Sequence, residues 1–145
     1  SQVGDADELA KCTQFGSAVF ANKPGDGSAR EQAASCQKVL GGFANICYGF
    51  ATKRYRSNCI NWGILPFTID EGVPFDYESG DCVFVPHIRQ AVESGQEDIP
   101  AKVICKDSSV HDLLLHVKGL TADEKEILLR GCLMNYYAKR MAAEK

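Results

Sequence analysis

The distribution of apolar and polar positions predicts strands that alternate with helices. Short apolar runs bounded by turn residues indicate strands, and apolar positions three or four apart indicate helices. The predicted strands are 17–21, 44–50, 64–69, 82–86, 101–106 and 113–117. The predicted helices are 29–40, 52–61, 86–94, a short one within the first ten residues and a last one from about residue 121. This alternation is typical of an α/β domain.

Three details of this pattern lead to specific expectations. The helix at 29–40 has a predicted apolar stripe of Ala33, Cys36 and Leu40. The last helix begins with a capping box of Thr121 and Glu124, and its predicted stripe consists of Ile127, Gly131, Met134 and Ala138. Pro66 has no N–H group to donate to a neighbouring strand. The stretch 64–69 is therefore expected to be the end of a strand or a strand at the edge of a sheet.

Length and charge narrow the class of protein. The chain has 145 residues, which suits one compact domain over 1–145, and it begins at Ser1 without an initiator methionine, as a processed protein or a piece of a longer chain does. A net charge of −3 argues against general nucleic-acid binding. The apolar runs are much shorter than a membrane span, and the acidic N-terminus is unlike a targeting peptide.

The seven cysteines are widely spaced and include no C-x-x-C pair. This argues against a zinc ribbon or a local iron–sulfur site. Cys47 and Cys82 lie in apolar stretches, "ANICYGF" and "DCVFVP". Buried free thiols in a reducing cytoplasm are therefore expected.

The stretch "GDGSARE", residues 25–31, carries the most informative chemistry. Glycines allow a backbone to approach a ligand, and the first N–H groups of the following helix attract an anion. Ser28 would place a hydroxyl there, and Arg30 could clamp a carboxylate. The structural alternative is equally concrete, because Ser28 and Glu31 have the spacing of a capping box.

Three stretches together resemble the aconitase and isopropylmalate isomerase family. The loop "GDGSAREQAA" is similar to G-x-G-S-S-R-E-H-A-A, and "GFATKRYRSNCINWGILPFTI" is similar to S-F-A-R-I…N…G-I-L-P-L. The tail "LTADEKEILLRGCLMNYY" is similar to L-T-x-x-E-x-x-I-L-L-A-G-G-L-L-N-Y-Y. The motifs occur in the family's order and span most of the chain, in the region of the C-terminal swivelling domain.

The resemblance implies a three-layer β/β/α swivel domain and a hydro-lyase reaction on a hydroxy-acid carboxylate. It implies that Ser28 is the base, that Arg30 binds a substrate carboxylate, and that Gly25 and Gly27 shape the loop. A [4Fe-4S] cluster is expected in other domains of the enzyme, or in a large subunit, with no metal ligand in this chain. The expected location is cytoplasmic. The chain alone is expected to be inactive, and to be the C-terminal part of a longer protein.

The chain also departs from the family pattern. Ala29 stands where the family has a second serine, and Gln32 where it has a histidine. Between Phe50 and Asn58 there is one residue more than in the mitochondrial aconitase pattern, and a further substrate-binding arginine of the family would lie before residue 1. These changes favour a divergent hydratase. They also keep open the alternative of a non-catalytic anion-binding or assembly module.

Other polar residues have ordinary structural explanations. The basic stretch 53–56, "KRYR", is expected to be a solvated or interdomain helix face, with RNA binding as a weaker alternative. The histidines are scattered with no paired carboxylate nearby in sequence, and are expected at a helix start, on the surface and in a strand: His87, His111 and His116. Trp62 and the stretch "NYY" (135–137) are expected to pack, either within the domain or against neighbouring domains.

Overall fold

A computed structural model describes residues 11–143, so the helix predicted within the first ten residues lies outside the described part. The strands are β1 (Ser17–Ala21), β2 (Gly42–Cys47), β3 (Leu65–Thr68), β4 (Cys82–Phe84), β5 (Asp98–Ile104) and β6 (Val110–His116). The helices are α1 (Arg30–Val39), α2 (Lys53–Asn61), α3 (Ile88–Ser94), α4 (Ala122–Arg130) and α5 (Leu133–Ala143). The predicted α/β class is confirmed.

The sheet has two halves that differ in strand direction. Its order is β1-β2-β3-β6-β5-β4, and β1, β2 and β3 are parallel. Strands β6, β5 and β4 form an antiparallel meander. The halves are joined through the pair Thr68 and His116 between β3 and β6. Helices α1 and α2 connect the parallel strands, as crossover helices do in βαβ units.

The core consists of apolar clusters packed against the sheet. Along β5 exposed and buried residues alternate at every position, as the period of two in a strand requires. Its buried side joins residues of β3 and β6 in the main apolar cluster, which includes Phe67, Val103 and Leu115. A second cluster joins α1 and α2 through Ala34, Tyr55 and Cys59. Trp62 packs against this second cluster, as expected.

Of the two positions expected for residues 64–69, a strand end or a sheet edge, the sheet edge is wrong. Strand β3 lies inside the sheet, between β2 and β6. Pro66 is accommodated there because β6 pairs with β3 only at Thr68, so the ladder on that side does not extend along the strand to the proline.

The predicted stripe on α1 is also wrong. Ala33 and Cys36 are exposed, and 82% of Leu40 is accessible to solvent. The residue of α1 that is fully buried is Ala34, which faces α2. The apolar spacing marks one side of α1, but a different side, the one with the small side chain of Ala34, packs against α2. A small side chain there allows the two helices to approach each other.

The last helix is divided in two. Its start is confirmed, since Thr121 and Glu124 form both bonds of a capping box. Gly131 then adopts φ 91° and ends α4, and a Cβ at Gly63 would lie 1.7 Å from the Gly131 carbonyl oxygen. Ile127 and Met134 therefore lie on two different helices, α4 and α5, and 76% of Met134 is exposed. The continuous stripe predicted across Gly131 is therefore wrong.

In the stretch "NYY", Tyr136 packs with Ile60 and Ile127, while 53% of Tyr137 is exposed. Of the two cysteines expected to be buried, Cys47 is buried and Cys82 is exposed. Within the described part of the chain, no helix is both long and apolar enough to cross a bilayer.

Candidate functional site

The predicted loop lies at the carboxyl edge of the parallel strands. Residues 22–29 follow β1, and residues 48–52 follow β2, so both segments leave the sheet at the same edge. Two backbone hydrogen bonds join them: Tyr48 N–H donates to the Asn22 carbonyl at 3.2 Å, and Ala51 N–H donates to the Pro24 carbonyl at 2.9 Å. The carboxyl edge is where open α/β sheets bind ligands.

Gly25 is required by the fold. Its φ is 98°, and a Cβ at this position would lie 2.4–2.5 Å from the side chain of Tyr55. The Gly25 carbonyl oxygen accepts two hydrogen bonds, from Thr52 Oγ1 at 3.0 Å and from Arg30 Nε at 3.2 Å. Gly25 is thus the point where the loop, α1 and α2 meet.

Gly27 and Ser28 present a different environment. Both are exposed, and a Cβ at Gly27 would have no heavy atom within 4 Å. The packing of the described chain therefore does not require a glycine at 27. Open space beside its backbone is compatible with a ligand.

The capping role predicted for Ser28 is wrong. Helix α1 begins at Arg30 with Ala29 at the N-cap, and the cap makes no side-chain hydrogen bond. The Ser28 hydroxyl has no hydrogen-bond partner among residues 11–143. Because the helix begins later than the capping box requires, Ser28 and Glu31 do not pair.

Asn58 of α2 takes over the capping of α1. In the amide orientation that satisfies both of its ends, Asn58 accepts a hydrogen bond from the Glu31 N–H at 3.1 Å and donates to the Arg54 carbonyl at 3.3 Å. One of the unpaired N–H groups of the first turn is satisfied in this way from outside the helix. The hydroxyl of Ser28 is left available for a ligand.

A buried polar network supports Tyr55 beneath the loop. Asn45 donates to the Tyr55 hydroxyl and to Cys59 Sγ, each at 3.2 Å, and accepts from Gln37. Burial raises the pKa of Tyr55 to about 12 and also raises the pKa of the Cys59 thiol. These groups remain protonated at neutral pH, so the network acts as a neutral support for the loop.

In the basic stretch 53–56, Arg56 has polar partners elsewhere in the fold and Tyr55 is buried. Arg56 donates to the Lys118 carbonyl at 2.8 Å and lies 3.5 Å from a Glu124 carboxylate oxygen. Tyr55 is buried, while Lys53 and Arg54 are exposed.

His116 has charged neighbours that are distant in sequence. Its Nδ1 lies 2.7 Å from Asp98 Oδ1, and its Nε2 lies 3.5 Å from Asp70 Oδ2. His87 precedes α3 in a left-handed conformation, and His111 is exposed on β6 beside Ser109. His116 lies at the joint between the sheet halves, where it pairs with Thr68.

The loop lies outside a half-open cavity of about 280 Å³ elsewhere on the described residues. That cavity is bordered by the end of α1, by α3 and by α4, including Lys38, Arg89 and Arg130. Residues 11–143 also contain no group of three His, Cys, Asp or Glu side chains suited to a metal ion. The described cysteines therefore offer no such group for an iron–sulfur cluster, and residues 26–29 of the loop are exposed.

The sequence alone pointed to Gly25, Gly27, Ser28 and Arg30, and the structure places the first three in one loop and Arg30 at the start of α1. It adds three residues from the following segment that the sequence did not single out as supports: Thr52, Tyr55 and Asn58. The basic stretch of α2 predicted a solvated or interdomain helix face, but no local signal indicated that α2 caps α1.

Comparisons with known proteins agree on one family. The model of the aconitase C-terminal domain matches residues 3–72. Aconitate hydratase A of Bradyrhizobium diazoefficiens is 29% identical over 129 residues, which cover 86% of this chain and 14% of that protein. The 3-isopropylmalate dehydratase small subunit of Metallosphaera sedula is 33% identical over 133 residues, covering 91% of this chain and 71% of that subunit.

The fold agrees as well. The crystal structure of 3-isopropylmalate dehydratase from Methanocaldococcus jannaschii matches with a TM-score of 0.54 and 27% identity, covering 95% of this chain and 72% of that one. The predicted swivel-domain fold is thereby confirmed. The chain spans only 14–15% of the length of the two aconitate hydratases that it matches. The chain belongs to the aconitase family, as a domain of the aconitase C-terminal and isopropylmalate dehydratase small-subunit type.

Proposed function

We propose that the chain is the swivel domain of a hydro-lyase that removes water from a hydroxy-acid carboxylate and adds it back. The observation that carries this proposal is the Ser28 hydroxyl, which is exposed beside the first turn of α1 and is not used to cap it. A serine that only capped the helix would accept a hydrogen bond from an N–H of that turn through its side-chain oxygen. Here Asn58 serves that purpose.

In the proposed reaction Ser28 is the base. Its oxygen, as the alkoxide, takes a proton from the carbon next to a carboxylate, and the C–H electron pair becomes the new double bond. The C–O bond on the adjacent carbon breaks and hydroxide leaves with its electron pair, so that the proton on Ser28 and this hydroxide together account for the water removed. The positive end of α1 and the positive charge of Arg30, two residues along the chain, favour the negative charge on the oxygen. Hydration follows the same steps in reverse.

Arg30 is the proposed carboxylate-binding residue. A guanidinium presents donors in a planar fork that matches a carboxylate. Gly27 lets the substrate approach the backbone, and Gly25 holds the loop on Tyr55. The substrate class proposed is a hydroxy-acid with two or three carboxylates.

The remaining components are proposed to lie in the rest of the enzyme. Relatives include whole aconitate hydratases and a subunit called small, so we propose that this chain works with cluster-bearing domains on the same polypeptide or with a large subunit. A [4Fe-4S] cluster held there would supply a Lewis acid for the leaving hydroxyl. We further propose a cytoplasmic location.

Reconstitution tests the proposal. The chain alone is expected to show no hydration of an unsaturated di- or tricarboxylic acid, and addition of its cluster-bearing partner is expected to restore turnover. Turnover by the chain alone would contradict the division of the site. If a complete assembly binds such acids but never converts them, the function is that of an anion-binding module, as Ala29 and Gln32 on the exposed loop and first turn would favour.

A further inference from the structure

The Gly25 carbonyl links an arginine to a threonine in another helix. Arg30 Nε donates to this oxygen at 3.2 Å, and Thr52 Oγ1 donates to it at 3.0 Å. The Thr52 oxygen also accepts the Tyr55 N–H at 3.2 Å as the N-cap of α2. Thr52 therefore fixes the Gly25 carbonyl relative to α2, and the carbonyl in turn fixes the Arg30 side chain.

This arrangement decides which face of Arg30 can bind a ligand. Because Nε is occupied by Gly25, the edge of the guanidinium that contains Nε is not free for a second acceptor. The terminal nitrogens Nη1 and Nη2 have no hydrogen-bond partner among the described residues. A carboxylate can therefore bind end-on, through these two nitrogens.

We propose that Thr52 is a positioning residue, which orients Arg30 through the Gly25 carbonyl for end-on binding of a substrate carboxylate. This inference rests on the proposed function of Arg30. Thr52 itself touches no substrate. Glycines at 25 and 27 leave the intervening backbone free to rotate, so the carbonyl needs an external partner to hold its direction.

The test replaces Thr52 with valine, which has the same shape but no hydroxyl, in the enzyme assembled with its cluster-bearing partner. A misdirected arginine binds the substrate and the transition state equally less tightly. The KM for the hydroxy-acid is therefore expected to rise by about ten-fold or more while kcat changes little. Thr52→Ser restores the hydroxyl and is expected to return KM to near the wild-type value.

Thr121→Val is the matched control. Thr121 is also an N-cap, for α4, and its side chain bonds Glu124 rather than the loop. It is expected to lower the melting temperature about as much as Thr52→Val and to leave KM unchanged. If both variants change KM alike, or if Thr52→Val changes only the melting temperature, Thr52 is an ordinary cap and the inference is overturned.

Two further measurements separate this inference from the proposed function. Arg30→Lys is expected to raise KM, and an unchanged KM would refute the role of Arg30 and with it the inference. In the nitrogen NMR spectrum of the chain, the Arg30 Nε–H signal is expected to exchange slowly with water in wild type and Thr52→Ser, and quickly in Thr52→Val. One outcome would overturn the inference and leave the proposed function intact. In it, Arg30→Lys raises KM, while Thr52→Val changes neither KM nor the exchange rate of the Arg30 Nε–H.

Discussion

The two loop glycines provide a sharp test, because the structure assigns them different roles. Gly25→Ala places a methyl group 2.4–2.5 Å from Tyr55 at a φ of 98°, and Gly27→Ala places one in open space. The left-handed conformation costs an alanine about 1–2 kcal/mol, and forced overpacking adds about 1–3 kcal/mol. Gly25→Ala is therefore expected to lower the free energy of unfolding by about 2–5 kcal/mol.

Gly27→Ala is expected to behave in the opposite way. Its backbone is outside the left-handed region and its Cβ meets nothing, so reduced freedom of the unfolded chain stabilises the fold by up to about 1 kcal/mol. In the assembled enzyme the new methyl group obstructs the open side of the loop, so KM for the hydroxy-acid is expected to rise.

Urea unfolding followed by circular dichroism measures the two free energies, and steady-state kinetics measures KM. The explanation is refuted if Gly25→Ala unfolds at the wild-type midpoint. It is also refuted if Gly27→Ala is destabilised as much as Gly25→Ala, since the contacts that distinguish the two positions would then be wrong.

Three other predictions concern the supporting structure. Asn58→Ala is expected to lower the free energy of unfolding by about 1 kcal/mol in urea titrations, as loss of a helix cap does, and an unchanged value would contradict its capping of α1. His116→Leu removes the bond to Asp98 at the joint of the sheet halves and is expected to cost about 1.5–3 kcal/mol by the same assay; a neutral effect would contradict that role. Burial raises the pKa of the Cys47 thiol from 9.0 to about 12. As the pH rises, the unfolded chain therefore loses this proton at a lower pH than the folded chain does, and the free energy of unfolding is expected to fall between pH 9 and 12. Cys47→Ala should flatten that fall in pH-dependent unfolding curves, whereas replacement of the exposed Cys36 by alanine should not.

The sequence predicted the loop well because its chemistry is local. A glycine pair, a serine and an arginine lie within six residues, so the local pattern alone indicated either an anion-binding loop or a helix start. The alternation of strands and helices likewise follows from local periodicity. The α/β alternation is confirmed, while the roles of Gly25, Gly27, Ser28 and Arg30 remain predictions.

The wrong predictions have a common physical cause: the features concerned depend on contacts between residues that are distant in sequence. Whether Ser28 caps α1 depends on Asn58, which lies 27 residues beyond the Glu31 N–H that it binds. The last helix ends at Gly131 because the loop containing Gly63 passes close to it. Spacing along one helix cannot reveal which side a second helix will cover, and so Leu40 was placed on the wrong side.

Ser28→Ala in the assembled enzyme tests the central claim most directly, with unfolding and turnover measured on the same preparation. If the hydroxyl is free for chemistry, the free energy of unfolding should change by less than about 0.5 kcal/mol, as for an ordinary surface substitution. The same variant should lower kcat by about 10²–10⁴-fold, the usual contribution of a base, with substrate binding largely intact. A loss of about 1 kcal/mol in stability together with near-normal turnover would show instead that Ser28 is a helix cap.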